Sequence, residues 1–570
     1  MRLLRIDAGA RTWRYEEPGD DRRLTGGRAL IGDILLAEVP PTCDALGDSN
    51  KLVIAGGALA GTGVSSAGRL SIGCKSPLTG GIKEANAGGT AAAALARLGL
   101  RGLVIEGAAA PDWTVLLVTP DGLRFEDGTA YAGLGNFDLV KRLLGEYRRD
   151  YSVISIGQAG EIGLHAATVA VTDMFGRPSR MAARGGVGAV MGSKRVKAIL
   201  VANGGKQAPS AVDPTAFSEA RKRFNQAVLE NDRSKNLAKY GTAVTLRGVN
   251  VLGGLPTRNF SGGAFEEAET LTGEHMYEVI TSRGGEGTPT ETCMHGCVIR
   301  CSNCYPDESG RELVAPLEYE TIALMGSNLG LASLDDVARL NYACNDFGLD
   351  TIEVGATLGV MADGGLARFG DAASFLEILD EVPSGSLLGR LAGMGAGVAG
   401  TVLGVRRVPV VKNQAIPGYD PRAIKGTGVT YCTCPMGADH TAGLTLAAKV
   451  DHHKPNGQVA LSRGIQLVRA SYDSLGLCIF LMGATGSQPA LVLDLLRTFH
   501  GAALPDNFLT RWGGEIISAE VTFNRRAGIG PQADRLPEFF SRENLPPYGV
   551  VFDVPEGELS ATWESLPERL

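Results

Sequence analysis

The chain has 570 residues, 44% hydrophobic and 21% charged, with a net charge of −7; this usage excludes a solvated disordered polymer, and the length requires several domains with more than one core. Glycine is the anomaly, at 78 residues or about 14% of the chain, about twice the usual 7% and without the three-residue period of collagen. A negative balance with no basic stripe argues against a nucleic-acid partner, because phosphate neutralisation requires clustered Lys and Arg.

In chain order, MRLLRIDAGARTWRYEE lacks an apolar signal core, so a cytoplasmic protein is expected. The runs KLVIAGGALAG, GLVIEGAA, WTVLLVTP and YSVISIG are short, rich in β-branched residues and separated by turn residues, which predicts strands; GGTAAAALARLGL predicts one alanine-rich helix packed on them. The stretch 202–214 has linker composition, and Asp213 before Pro214 opens a helix through FSEARKRFNQAVLEN. From there to residue 404 the pattern is helical, with LASLDDVARLNYACNDFGLD and AASFLEILDEV as amphipathic stretches. A third segment starts at the proline-punctuated RRVPVVKNQAIPGYDPR and includes the helical run GQVALSRGIQLVRASYDSLGLCIF. The expected fold is α+β multidomain: a β-rich domain over 1–208 and two mainly helical domains over 209–404 and 405–570. No membrane span is expected, since the best candidate, Leu391 to Val405, has 15 residues between Arg390 and Arg406 and a spanning helix needs about 20. One internal echo stands out: Asn345 to Asp350 and Asp473 to Cys478 both read polar-x-x-Gly-Leu-polar at a helix end.

Ten cysteines in a reducing compartment suit metal binding or catalysis better than disulfides. Cys293, Cys297, Cys301 and Cys304 are spaced C-x3-C-x3-C-x2-C, close enough for one loop to aim three or four sulfurs at a point. Spacing leaves open an iron–sulfur cluster with three ligands from the run and a fourth from elsewhere, a tetrahedral zinc site, or inert buried thiols. The run from Arg184 to Lys194, RGGVGAVMGSK, resembles a phosphate loop, but its order is Gly-Ser-Lys where an ATP site requires Gly-Lys-Ser/Thr. It is either a tight strand-to-helix turn or a glycine wall against an anionic cofactor, and Arg69 and Asn86 among the glycines of residues 67–89 make a second such segment. His440 lies in a glycine-flanked loop, where an imidazole can face a pocket; His165, His275 and His500 read as surface or satisfied core positions, and His452-His453 as a loop pair. In Glu318-Tyr319-Glu320, a carboxylate beside an apolar run can be held with a raised pKa.

The motif order carries more than any single motif. GR, KSPLTG, AN-x-GG, RGGVGAVMGSK-x-x-KAI, the cysteine run, EYE, GLDTI, YDPR, the glycine-flanked histidine and D-x-x-GLC together resemble the tungsten-containing aldehyde ferredoxin oxidoreductase family over residues 1 to 540. The resemblance implies a β-rich pterin-binding domain, two helical domains, a tungsten (or molybdenum) bis-pterin of molybdopterin type, Mg2+ bridging the pterin phosphates, and a [4Fe–4S] cluster. Matching positions implies Cys293, Cys297, Cys301 and the distant Cys478 as cluster ligands. The family's C-x2-C-x3-C is here C-x3-C-x3-C, with the second interval kept between Cys297 and Cys301 and Cys304 left outside the set.

The resemblance also implies that Arg69, Asn86, Gly88, Arg180 and Arg184 line the pterin phosphates and magnesium, and that Asn345, Asp350 and Asp473 hold the rings. At Asn345 the family has Asp, so an amide replaces a charge there. Glu320 and His440 match the family's pocket pair, implying oxidation of an aldehyde to its acid, with electrons leaving through the cluster to ferredoxin or a small iron–sulfur subunit. Two other readings remain open: a reductive member acting on an acid or aromatic thioester in a larger complex, and a zinc-stabilised non-catalytic subunit. The pocket wall is expected to include the stretch from Tyr431 to Met436. Some relatives dimerise through an iron held by Glu-x-x-His; here those places hold Arg339 and Tyr342, so any oligomer would lack that iron site.

Overall fold

In the computed structural model, the described residues are all except 18, 20–23, 148–149, 206–208 and 570. The expected boundary at residue 208 falls outside the described residues.

Alternation of side chains along strands builds the first two hundred residues. Strands β1 (Arg2–Asp7), β2 (Thr12–Glu16), β3 (Leu52–Gly56), β4 (Leu70–Lys75), β5 (Ile82–Ala87) and β6 (Leu100–Glu106) form one sheet in the order β2-β1-β6-β3-β4-β5. Strands β7 (Thr114–Thr119), β8 (Gly122–Asp127), β9 (Tyr151–Ser155), β10 (Val169–Val171), β11 (Arg180–Ala182) and β12 (Val196–Ala202) form a second, in the order β11-β10-β9-β12-β7-β8. Each has one parallel pair, β1 with β6 and β12 with β7. Leu52 and Ile54 point into a core shared by both sheets and the helix Ala91–Arg97, whereas Val53 and Ala55 point the other way, onto the helix Gly27–Glu38. The second sheet repeats the arrangement, with Leu117 and Val153 facing the helix Asn136–Glu146. The two edge strands β5 and β11 lie against each other, so both sheets present an edge to one place.

The helix expected after Asp213 runs over Pro214–Glu230, with the Asp213 carboxylate accepting from Ala216 N at 2.9 Å. The 209–404 segment also contains a three-stranded sheet of β13 (Thr288–Glu291), β14 (Ser302–Pro306) and β15 (Glu312–Val314), too short and irregular in hydrophobic pattern to read from sequence. The second and third segments share a core: Ile322, Leu324 and Val354 pack in the same cluster as Ala415, Ile416 and Tyr431. No single described helix is long and apolar enough to cross a membrane.

The internal echo is a matched pair of helix ends. Helices Leu334–Phe347 and Gln458–Leu475 both stop at a left-handed glycine, Gly348 at φ 76° and Gly476 at φ 77°. Each end is approached by a sheet-domain glycine: a Cβ on Gly57 would lie 2.1 Å from Gly476 N, and one on Gly157 2.3 Å from the Phe347 carbonyl carbon.

Candidate active site

The edge strands β5 and β11, the cysteine run and both matched helix ends surround a cavity of about 290 Å³. Its wall includes Arg69, Asn86, Gly88, Arg180, Arg184, Asn345 and Asp350, together with Glu320, His440, Cys293, Cys301 and Cys478. Two of the residues expected there stand behind it: Cys297, which hydrogen-bonds to Cys293, and Asp473, which is buried against arginines.

Local structure explains how these groups arrive. Asn86 sits on the terminal strand β5, where its side-chain oxygen and backbone carbonyl both accept from Arg69, the latter at 2.9 Å. Gly88 follows, and a Cβ there would come within 3.0 Å of the Cys293 carbonyl oxygen, so the bare backbone brings the cysteine run to the sheet edge. Asp350 caps the helix Thr351–Asp363 by accepting from Ile352 N at 3.0 Å, and its other oxygen accepts from Arg184 Nε at 3.2 Å. Arg184 donates further to the carbonyls of Ala438 and Ala415, both at 2.7 Å, tying three regions of the chain together. The glycines after Arg184 take the tight-turn reading, not the cofactor-wall one: a Cβ on Gly188 would sit 2.3 Å from Thr168 O and one on Gly192 2.0 Å from Gly160 O, and neither lines the cavity.

Glu320 lies in the first turn of the helix Tyr319–Met325. One carboxylate oxygen accepts from Gly418 N at 2.7 Å; the other lies 3.4 Å from His440 Nε2, near enough for attraction but without hydrogen-bond alignment. Burial raises the Glu320 pKa, while His440, the Gly418 N–H and Arg184 oppose the rise. His440 opens a short turn capped by its neighbour Asp439, which accepts from Thr441 N at 2.9 Å, pairs with the fully buried Lys83 at 3.1 Å and also lines the cavity. Burial works against ionisation of Asp439, but Lys83, Arg184 and His440 hold it far below the usual carboxylate range. Tyr419 packs against His440 with ring centroids 5.8 Å apart, and Tyr319 against Tyr419 at 4.9 Å, giving an aromatic flank. The segment 431–436 does not line the cavity; Tyr431 to Thr433 end a wholly buried helix behind it.

The thiols converge from two segments, held together by a third. Ser66 donates to Cys297 Sγ at 3.2 Å, and Cys478 N donates to Ser66 O at 2.9 Å, so one sheet-domain loop holds the run beside the distant cysteine. Hydrogen bonding from Cys293, aided by Ser66 and the N–H groups of Ile299 and Arg300, lowers Cys297 to about 6 against the effect of burial, whereas burial and neighbouring thiols raise Cys301. Cys304 is directed elsewhere, its thiol 3.4 Å from Glu312 Oε2. Arg339 pairs with Asp336 at 2.9 Å and Tyr342 stacks on Phe137 at 4.7 Å, so the former is occupied in an ion pair and the latter in a ring contact.

Five buried polar atoms on this wall lack a hydrogen-bond partner: Glu84 Oε1, Arg180 Nε, Glu320 Oε1, His440 Nδ1 and Arg469 Nη1. Each such group costs about 1–3 kcal/mol unless something satisfies it. Their gathering in one cavity, with four guanidinium groups and several carboxylates, fits a large ligand that is both anionic and rich in donors and acceptors. Glu84 and Arg469 escape a motif-based reading, though parity along β5 puts Glu84 on the same face as Asn86, and Arg469 stands one helical turn before Asp473.

The chain is similar to known proteins along most of its length. The family model "Aldehyde ferredoxin oxidoreductase, N-terminal domain" matches residues 3–203, and "Aldehyde ferredoxin oxidoreductase, domains 2 & 3" matches residues 219–560. Tungsten-containing aldehyde ferredoxin oxidoreductases of Thermococcus kodakarensis and Pyrococcus furiosus are 31% and 30% identical, in each case over 96% of this chain and 92% of the relative. The WOR-like subunit of an aliphatic sulfonate oxidoreductase from Pyrococcus furiosus is 26% identical over 84% of this chain and 79% of its own length. Among solved structures, the active site complex BamBC of benzoyl coenzyme A reductase superposes with a TM-score of 0.81 at 17% identity, over 99% of this chain and 94% of that one, a likeness of fold. Matched along nearly its whole length by both family models, the chain belongs to the aldehyde ferredoxin oxidoreductase family of oxidoreductases.

Proposed function

We propose that this protein oxidises an aldehyde with water to the carboxylic acid, releasing two electrons and two protons. The observation that carries the reading is the convergence of Glu320 and His440 on a cavity also lined by Cys293, Cys301 and Cys478. A tungsten bis-pterin bound there supplies the two-electron acceptor that no side chain provides. Arg69, Asn86, Gly88, Arg180 and Arg184 on one side, and Asn345 and Asp350 on the other, would hold it and an accompanying Mg2+; guanidinium forks suit phosphate. Cys293, Cys297, Cys301 and Cys478 would hold a [4Fe–4S] cluster, which would supply one-electron transfer toward a ferredoxin or small iron–sulfur subunit.

The chain's own part is proton handling and positioning. Glu320 Oε1, buried and free of hydrogen bonds, is placed to take a proton from water attacking the carbonyl carbon. Gly418 N–H fixes the other oxygen, so the carboxylate keeps one orientation. His440, with Nδ1 unpartnered, orients the carbonyl oxygen and carries the proton onward, and Asp439 and Lys83 keep its loop in place. Tyr419, packed on the His440 ring and backed by Tyr319, keeps that imidazole in place from outside the cavity lining.

Anaerobically purified protein is expected to hold tungsten and about four irons per chain and to reduce a dye only when an aldehyde is added. Zinc as the sole metal would sink the reading. Glu320→Gln and His440→Ala should each lower turnover by about 10²–10⁴-fold with metal content intact; full activity in both would overturn the assigned roles. Reduction of an acid or thioester without aldehyde oxidation would point to the reductive alternative.

A further inference from the structure

We infer that the stretch of chain over the thiols, residues 294–300 with Arg97, Arg221 and Arg300 beside it, is the docking face for a small acidic iron–sulfur protein. This rests on the proposed cluster reading and names the face and the charge of the partner it serves.

The run forms the outer surface beside its own thiols. Cys297 and Cys301 are buried, while Gly296 and Arg300 are exposed and His295 and Val298 half-buried. Backbone geometry accounts for this at Arg300: the N–H groups of Ile299 and Arg300 face the Cys297 sulfur, and Arg300 takes a left-handed backbone at φ 54° that leaves its side chain in solvent. One sheet-domain loop, residues 61–66, gathers the other two cations. Ser66 donates to Cys297 Sγ at 3.2 Å and Ser65 Oγ accepts from Val298 N at 3.0 Å, so the loop holds the run. Gly61 lies on the helix Ala91–Arg97, where a Cβ would come within 2.6 Å of the Ala96 Cβ, next to Arg97. A Cβ on Gly63 would lie 2.9 Å from Arg221 Nη1, so the bare glycine leaves the guanidinium its place over the loop. Arg97 also acts on His295 in the run, adding to burial in lowering that pKa.

The charges here are unspent. None of Arg97, Arg221 and Arg300 pairs with a carboxylate among the described residues. Arg177, which reaches the start of the run through Glu291, is by contrast held by Asp173, Glu291 and Glu312. The loop 61–66, the helix Ala91–Arg97 and the run 293–301 contain no Asp or Glu. On the helix Pro214–Glu230, which carries Arg221, Glu230 accepts from Gln226, leaving Glu219 as the other carboxylate. The local balance is therefore positive in a chain whose net charge is −7. An acidic carrier is repelled by the chain as a whole and can be steered only by such a patch, where unpaired guanidinium groups keep their donors for its carboxylates. Val298, half-buried on the same run, supplies apolar contact beside the charges.

The test is binding of a purified acidic ferredoxin to the full-length holoenzyme under anaerobic conditions, read as association rate and affinity. Wild type is expected to bind about tenfold more weakly at about 200 mM salt than at about 20 mM, because the Debye length then falls below about 10 Å. Arg97→Glu combined with Arg221→Glu is expected to weaken binding by about tenfold at low salt, mainly through slower association. Its iron content and aldehyde-dependent reduction of a small neutral dye should stay at the wild-type level. Arg97→Lys combined with Arg221→Lys keeps the charge and should bind within about twofold of wild type. Wild-type affinity in the doubly reversed variant, affinity that ignores salt, or no binding by wild type overturns the docking face. If the reversed variant does not fold, Arg97→Gln combined with Arg221→Gln decides in its place, with a loss of about threefold expected. Wild-type protein that holds zinc and no iron would instead defeat the cluster reading on which this stands.

Discussion

The two matched helix ends look alike in backbone and differ in chemistry. Both stop at a left-handed glycine, at Gly348 and Gly476, and both receive a sheet-domain glycine in near contact. Yet the first begins with the amide of Asn345 and the second with the carboxylate of Asp473. The neighbours explain the difference: Asp473 has Arg28 and Arg469 within 3.3 Å, while no described cation pairs at Asn345, whose carbonyl accepts from Asn136 at 2.9 Å. Burying an anion is tolerable only where its counter-charge is buried with it. The far ends diverge in the same way, since Asp350 caps a helix and grips Arg184 while Cys478 joins the thiols. A repeated local motif thus sets the shape at both places, and its surroundings set which residue each can hold.

The largest break should come from Asp473→Asn, which strands Arg469 against half a partner. A loss of about 3–5 kcal/mol is expected, seen as a lower urea midpoint, while Asn345→Ala should cost much less. Gly57→Ala and Gly157→Ala come next: each places a methyl on backbone atoms of its helix end, and about 3 kcal/mol is expected for both. Unequal losses would break the equivalence of the two dockings. Gly476→Ala and Gly348→Ala should each cost about 1–2 kcal/mol for the left-handed backbone, with a further loss at Gly348, where the new Cβ lies 2.8 Å from Gly157 N, read by the same titration. At about pH 4 the smallest effect belongs to Asn345→Asp. A buried carboxyl without a cation has a folded pKa above its unfolded value of about 3.9, so the variant should match wild type at about pH 4 and fall behind as pH rises, by about 1.4 kcal/mol for each pH unit until the folded pKa is passed. Constant relative stability from about pH 4 to 8 would mean the site already holds a counter-charge for it.

Much of this is readable in the order of residues alone. Short β-branched runs bounded by turn residues in KLVIAGG and YSVISIG predict β3 and β9, Asp213-Pro214 marks the helix start, and the order of motifs identifies the family. The polar allocation is not. Arg184 sits in the expected wall but spends three donors on Asp350, Ala415 and Ala438. Asp473 stands behind it, and Glu84 and Arg469, unremarkable in sequence, keep unpartnered atoms on it. His295, within the cysteine run, gives no signal of its own in the sequence either, and burial with Arg97 nearby lowers its pKa.

By itself the sequence determined the longer apolar strands of the first two hundred residues, the helix start at Asp213, the glycine stops and the spacing of thiols, because each depends on residues a few positions apart. Tertiary structure alone decided that β5 and β11 meet, that the second and third segments share one core, and which charges are spent on each other. Those outcomes depend on partners hundreds of positions apart, as Arg28 is from Glu520, and pairing at that distance is fixed only when the whole chain has packed.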